Sequence, residues 1–410
     1  MKKTKINKLD SFNKWKQNPS KGEVFTPKEL VNEILDQIPV EVWKNPKSTF
    51  CDLSMGKGTF LVEIVNRLVY IYGYKEEDAK SRVFGYEIRV KYVNYLKRRG
   101  YKNVFHKDGL IEYFNMKFDV VLGNPPYTIG KNNPIWHKFV DKAFEICKEG
   151  GYISLIHPNG WRNISGRFKE VQKKIKSKKC LTINMFDINK GKEIFGVDTP
   201  FDWYIIKNVE VNEKFKTKII QQNNKIQHVE IYDMEFIPNF DVEIINNLIA
   251  GDGGDTVEIL HSESMYEIRK PYMSISKNDE YKYPCVYSVL KDGTFTLRYS
   301  NIKKGFFGVS KLILGNGANP TCFIDSDGKY GMTQFTFGIV EDPENLEKLK
   351  KVLTSKIFEK ITKSTKYVAT AGNPLVYPKI ISTFKKDFWR HFLDENNNVI
   401  EPNFENVERV

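Results

Sequence analysis

Along the first two hundred residues the apolar positions switch repeatedly between two periods. Short runs rich in β-branched and aromatic residues occupy 48–53, 82–87, 103–106, 118–122 and 151–156, and several end in acidic or glycine-bearing turns. Between most of them lie stretches with apolar residues three and four apart, such as 59–70 and 135–148. Strands alternating with helices predict βαβ units and an α/β parallel sheet covered on both faces. Ligands of such sheets gather at the carboxyl ends of the strands near the switch in strand order, so the residues just after each strand are where chemistry is expected.

The second half reads differently. Residues 281–340 alternate in strand fashion, as in Phe295-Thr296-Leu297-Arg298-Tyr299, 345–363 reads as a helix pair, and 365–374 is a polar loop. Gly251-Asp252-Gly253-Gly254-Asp255 marks a turn or linker.

Composition adds a bias of charge. The 410 residues carry 64 Lys and Arg against 51 Asp and Glu, a balance of +13, which suggests a polyanionic partner. With 40% hydrophobic residues the chain can bury a substantial core, which excludes global disorder, and its length allows two or three domains. The surplus is concentrated: 1–22 carries +6, 160–192 carries +8 and 281–390 carries +9, against −8 over 231–280 and −4 over 391–410. These shifts predict a basic arm (1–22), a catalytic domain (23–230), an acidic connector (231–280), a recognition domain (281–390) and an acidic tail (391–410).

No run approaches the roughly 18 apolar residues of a membrane span, and the basic start lacks a signal peptide's apolar core, so a soluble cytoplasmic protein is expected. Cys51, Cys147, Cys180, Cys285 and Cys322 are scattered and never spaced as CxxC, and His106, His137 and His157 show no ligand spacing. Neither a disulfide framework nor a metal site is expected. Pro284-Cys285 has the form of a cysteine nucleophile but lies far along the chain from the glycine-bearing turn after 48–53.

Two motifs carry chemistry. Asp52-Leu53-Ser54-Met55-Gly56-Lys57-Gly58-Thr59-Phe60 joins a strand to a helix, and its glycines allow close backbone approach to a ligand. Glu87 and Asp108 follow the next two strands. Three acids at successive strand ends, with no Gly-Lys-Ser/Thr phosphate loop, fit a neutral or cationic nucleoside ligand. Asn124-Pro125-Pro126-Tyr127 follows the fourth strand. Consecutive prolines fix the backbone and leave its carbonyls unopposed as acceptors, so an amino group placed there can donate to the Asn124 side-chain oxygen and the Pro125 carbonyl. Tyr127 offers a ring face to a planar base.

The order Thr26-Pro27, Asp52…Gly56-x-Gly58-x-Phe60, Glu87, Asp108 and Asn124-Pro125-Pro126-Tyr127 resembles the S-adenosylmethionine-dependent DNA N6-adenine methyltransferases whose recognition domain comes last, over roughly residues 20–210. The resemblance implies a Rossmann-like class I methyltransferase sheet followed by a mixed α+β recognition domain that binds DNA. It implies S-adenosyl-L-methionine, no metal, and a pocket formed by Thr26, Pro27, Asp52, Met55, Gly56, Gly58, Phe60, Glu87, Ile88, Asp108, Gly109 and Asn124. Asn124, Pro125, Pro126 and Tyr127 then hold the flipped adenine, with Phe195 on its other face and Phe201 or Trp203 as competing partners. Arg162, Lys169, Lys173, Arg298, Lys303, Lys304, Lys311, Lys363 and Lys366 are the candidate contacts to double-stranded DNA. A monomer is expected, with room for a separate restriction endonuclease as partner. Methylation of an RNA base or a protein glutamine, or a non-catalytic DNA specificity subunit, are the readings left open.

Overall fold

The computed structural model describes residues 25–112, 114–129, 133–164, 166–211, 214–251, 253–261, 266–290, 292–315, 321–367 and 376–404. The expected basic arm at 1–22 lies outside the described residues. The chain divides into two compact units, Met1–Pro158 with Ser177–Asn212, and Asn159–Lys176 with Glu213–Val410.

The first unit holds seven strands: β1 Phe50–Asp52, β2 Val83–Glu87, β3 Val104–His106, β4 Phe118–Gly123, β5 Cys147–Pro158, β6 Lys178–Phe186 and β7 Phe201–Glu210. They lie in the order β3-β2-β1-β4-β5-β7-β6. β1 to β5 are parallel, as the alternating pattern predicts. β7 departs from that expectation and runs antiparallel between β5 and β6. The helix Ile188–Phe195, capped by Asp187 and ended by left-handed Gly196, returns the chain from β6 to pair antiparallel with it. A second difference is that the helix expected over 135–148 stops at Ile146, where β5 begins.

Helices α1 Lys28–Leu35, α2 Val40–Lys44 and α3 Thr59–Tyr70 contribute to one core with β1, β4, β5 and β7. Leu61, Ile64, Val65 and Leu68 recur at the spacing of one helical face and are all buried. Each such side chain stabilises the unit by roughly 1.5–3 kcal/mol. Strand order reverses beside β1, which has β2 on one side and β4 on the other. The carboxyl ends of β1 and β4 are therefore the place for a ligand.

The second unit contains the hairpin β8 Lys216–Ile220 and β9 Ile226–Glu230 and two four-stranded sheets. One sheet orders β10 Ile259–Leu260, β17 Thr336–Val340, β14 Lys311–Gly315 and β15 Cys322–Asp325. The other orders β11 Met273–Ser274, β13 Phe295–Ser300, β12 Tyr283–Val289 and β16 Gly331–Met332. Helices Leu346–Leu353 and Lys356–Ser364 form the expected pair.

Three sequence boundaries move. Residues 231–280 are not a plain connector: Phe236, Ile245, Leu248 and Val257 are core residues of this unit. Residues 391–404 are not a free tail, because Phe392 is buried in that core and Phe404 packs against it. The segment Asn159–Lys176 also belongs here, anchored by the buried Arg162 guanidinium, which donates to the Ile237 carbonyl at 2.9 Å and to Asn239 Oδ1 at 2.7 Å.

Lys311 is likewise internal. Its ammonium donates to the Phe306 and Val309 carbonyls at 2.7 and 3.1 Å and pairs with Asp325 at 2.6 Å, both side chains being essentially inaccessible. Removing one partner strands a buried charge. Lys311→Ala is expected to cost about 3–5 kcal/mol in denaturant unfolding, whereas the exposed Lys363→Ala should stay within about 0.5 kcal/mol. Equal effects of the two would refute this structural role.

Candidate active site

The motif between β1 and α3 is a turn built around two left-handed glycines. Gly58, at φ +81°, caps α3, and a Cβ there would lie 2.5 Å from a Leu96 methyl. Above this turn, the Gly56 N–H donates to Glu87 Oε2 and the Arg89 N–H to Glu87 Oε1, both at 2.9 Å. Glu87 thus ends β2 locked against the glycine turn, with Ile88 beside it, exposed despite its apolar side chain. Met55 is buried and donates its N–H to the Tyr86 carbonyl at 2.9 Å. Phe60, on the first turn of α3, is in the core.

Asp52 ends β1 fully enclosed and accepts from the Ser54 N–H at 2.9 Å. Burial, with a contribution from the Glu87 charge and opposed by the Ser54 hydrogen bond, pushes its carboxyl up to about 7. Its neighbour across the sheet is Gly123, the last residue of β4, where a Cβ would come within 2.6 Å of Asp52 Oδ1. The glycine before the tetrapeptide is thus required by contact with the acid of the first motif. Gly123 was not singled out from sequence.

Asn124 follows directly. Its side-chain nitrogen donates to Thr26 Oγ1 at 3.2 Å, which turns Oδ1 the other way, and that oxygen is buried without a hydrogen-bond partner. Pro125 is buried and Pro126 exposed. The Tyr127 hydroxyl is also buried and unpartnered, and burial, followed by the Asp202 charge, holds its pKa far above the ordinary phenol value. After it, the Ile135 N–H donates to the Tyr127 carbonyl (3.0 Å) and the Ile129 N–H to the Asn133 carbonyl (2.8 Å).

Thr26 and Pro27 precede α1, and Phe25 lies against the glycine turn, 4.0 Å from a Cβ built on Gly56 and 3.8 Å from the Lys57 ammonium. The N-terminal segment therefore touches both motifs, through Phe25 and Thr26. Phe25 was not singled out from sequence; its place before Thr26-Pro27 was the available signal. Asp108 lies just past β3, exposed, and accepts from the Leu110 N–H at 2.9 Å, while Gly109 packs on the Leu53 backbone behind the first motif.

Of the three aromatic candidates near 195–203, Phe201 and Trp203 are wholly buried core residues. Phe195 is half-buried and meets Phe201 edge-on at 4.7 Å. His157 is buried, stacked on Trp136 at 4.2 Å, and burial lowers its pKa to about 3, so it is a neutral internal group. All five cysteines are buried free thiols, and burial pushes Cys285 up to about 12, which removes it as a nucleophile. Among the described residues no cluster of three potential metal ligands occurs, and no helix is long and apolar enough to cross a membrane.

The basic candidates divide sharply. Arg162 and Lys311 are corrections: both are buried and their donors are spent inside the second unit. Lys173 and Lys363 are exposed but paired with Glu170 and Glu359 on their own helices, at 3.0 and 2.8 Å. Lys169, Lys303, Lys304 and Lys366 are exposed, and Arg298 is half-buried.

Comparison with known proteins bears on the first unit. Residues 55–195 match the family model described as Eco57I restriction-modification methylase. The chain is 24% identical over 264 residues to the type II methyltransferase M.VspI of Vibrio sp. (strain 343), covering 56% of this chain and 60% of that protein. It is 31% identical over 170 residues to an uncharacterized adenine-specific methylase of Mycoplasma pneumoniae, covering 35% and 40%. Both matches thus span less than two thirds of those relatives. A structure of a nuclease-deletion mutant of the Type ISP restriction-modification enzyme LlaGI with a DNA substrate mimic is similar at 11% identity and a TM-score of 0.49, over 84% of this chain and 45% of that one. The matched span, residues 55–195, takes in the glycine turn from Met55, strands β2 to β6 and the tetrapeptide after β4, so the segment that resembles the Eco57I restriction-modification methylase family is the one that carries both motifs.

Proposed function

We propose that the chain transfers a methyl group from S-adenosyl-L-methionine to N6 of an adenine flipped out of duplex DNA. The observation that carries the reading is the orphaned Asn124 Oδ1, an acceptor held open by the bond from its own amide nitrogen to Thr26. A buried acceptor without a partner costs about 1–3 kcal/mol, a cost removed when a ligand donates to it. An exocyclic amino group has two hydrogens, one for Asn124 Oδ1 and one for the Pro125 carbonyl. Those bonds draw the nitrogen lone pair out of ring conjugation and fix its direction.

The residues around the glycine turn suit the cofactor. Asp52 and Glu87 are buried carboxylates at the switch point, complementary to a ligand that carries cationic groups and ribose hydroxyls. Ile88 offers an apolar surface to its adenine beside Asp108. With its methyl already activated on a sulfonium, the cofactor supplies the electrophile and leaves the protein to align the acceptor. Tyr127 supports one face of the target base and Phe195 the other. Flipping costs a few kcal/mol of unstacking, repaid by this pocket. DNA is held by exposed basic residues of the second unit, and a separate endonuclease is the fitting partner.

Purified protein incubated with labelled S-adenosylmethionine and duplex DNA should place label in N6-methyladenosine; label confined to RNA or protein substrates would sink the reading. Asn124→Ala should lower transfer by about 10²–10³-fold, with cofactor affinity measured by calorimetry little changed. A parallel loss of cofactor binding would mean that Asn124 serves the cofactor instead.

A carboxyl near 7 when folded and about 3.9 when unfolded binds its proton more tightly in the folded chain. Stability is therefore lost as pH rises through that window and is not regained above it. In the ligand-free protein, Asp52→Asn should gain on wild type in thermal unfolding as pH rises from about 4 to 8, by on the order of 2–4 kcal/mol at the upper end. The same variant should bind the cationic cofactor more weakly at pH 8. A pH-independent stability difference would remove the argument that Asp52 is kept buried for a cation.

A further inference from the structure

We propose that the β12–β13 ribbon of the second unit is the sequence-reading surface for DNA, with Arg298 addressing base edges and Lys303 and Lys304 holding adjacent phosphates. This rests on the DNA reading above and assigns the work to one face of one sheet.

The ribbon has two unlike faces. Paired residues of an antiparallel ladder share a face. Val286 pairs with Leu297 and Val289 with Phe295, and all four pack into the small core around Ile313 and Met332. The opposite face carries Ser288 paired with Thr296 through a 2.7 Å hydroxyl bond, and Arg298 paired with Cys285. Cys285 and Ser300 are fully buried on that face, so its accessible part is the one formed by Ser288, Thr296 and Arg298, all half-buried. The ladder slips between Val286 and Ser288, so Tyr287 is an inserted residue. A bulge of this kind re-aims a side chain. The Tyr287 ring lies 4.2 Å from the Arg298 guanidinium and meets Phe335 edge-on at 5.4 Å, with Phe335 itself exposed. Its position beside an aromatic ring restricts the Arg298 fork, as bidentate recognition of a guanine edge requires.

The neighbouring loop extends this face. Phe307 lies against Gly331, whose Cβ position is also 2.9 Å from Cys285 Sγ, the residue paired with Arg298. Lys303 lies over the Phe307 ring at 5.6 Å and Lys304 over Tyr272 at 4.6 Å, both lysines being exposed. The loop is not slack. Phe306 adopts φ +76°, a conformation costly for a bulky residue, and its carbonyl accepts from the buried Lys311 ammonium. A charge pair that contributes no surface charge thus fixes two lysines that do.

The occupant follows from charge and shape. Neither strand of the ribbon contains an acidic residue, while the face and its loop carry one guanidinium and two ammonium groups. β12 and β13 are the inner strands of a four-stranded sheet, but β11 pairs only with Tyr299 and Ser300 and β16 only with Cys285 and Val286, so beyond those pairings the hairpin is two-stranded. That is the width that a major groove admits, and its hydroxyl, guanidinium and aromatic groups are the types that read base edges there.

The test uses the full-length protein, a duplex library of randomised sequence for mapping methylated sites, and a fixed 30-bp duplex for binding across a salt series. Lys303→Ala/Lys304→Ala should weaken binding to all duplexes alike and reduce the log–log salt slope by about 2. Arg298→Ala should change the slope by no more than about 1 while lowering discrimination at one or two positions of the methylated motif by roughly ten- to a hundred-fold. Arg298→Lys, which keeps the charge and the strand but loses the planar fork, should show the same loss of discrimination even if the alanine variant folds poorly. An unchanged motif and salt slope in these variants overturns the surface, as does a wild-type chain with no affinity for duplex DNA. A wild-type chain that binds duplex through these lysines but methylates none keeps the surface and refutes the methyltransferase reading.

Discussion

A carboxylate enclosed at the point where strand order reverses sets the geometry of the first unit. Asp52 ends β1, and its side chain fills the space that a side chain at position 123 would need. That contact fixes the spacing between the glycine turn and the tetrapeptide, since Gly123 is continuous with Asn124. The turn is fixed in the other direction by Glu87, whose two oxygens take N–H groups from Gly56 and Arg89. Two acids thus hold three strand ends in register. The arrangement is unfavourable by itself, because burial raises the Asp52 carboxyl and Glu87 adds to that effect. A protein keeps such groups where a ligand compensates them.

Much of this was legible in the chain. Each of β1 to β4 falls within two residues of the run that predicted it. β1, β2 and β4 are buried along nearly their whole length, and a strand buried on both faces is largely apolar until it stops at a turn, whereas β3 is an edge strand buried only at Val104. The residues after those strands were legible for the same reason. The direction of β7 was not, since an apolar run records burial and carries no sign of which way its neighbour points. The choice among Phe195, Phe201 and Trp203 was equally closed to sequence. All three are aromatic near a strand start, and only packing separates two core side chains from a half-buried one.

The second unit shows a different limit. Its expected boundaries followed charge, and charge misled where acidic segments also supplied apolar anchors. The stretch 231–280 is acidic overall yet contributes Phe236, Ile245, Leu248 and Val257 to the core. Net charge is set by exposed positions, whereas unit membership is set by the few side chains that are buried.

The same distinction changes the meaning of the basic surplus. Arg162 and Lys311 count fully toward +13, yet each is buried with its donors spent on carbonyl, amide or carboxylate oxygens inside the unit, and neither can reach a partner; the Lys311 charge is also offset by Asp325. Lys173 and Lys363 are partly neutralised by a glutamate on the same helix. What remains at the surface among the basic candidates is Lys169, Lys303, Lys304, Lys366 and the half-buried Arg298, and three of these, Arg298, Lys303 and Lys304, each lie beside an aromatic ring. A ring beneath a cation restricts where the long side chain can lie without satisfying its hydrogen-bonding capacity. Cations held in this way keep their charge and most of their donors for a partner, Arg298 spending one nitrogen on the Leu297 carbonyl at 3.0 Å, which a count of lysines and arginines cannot reveal.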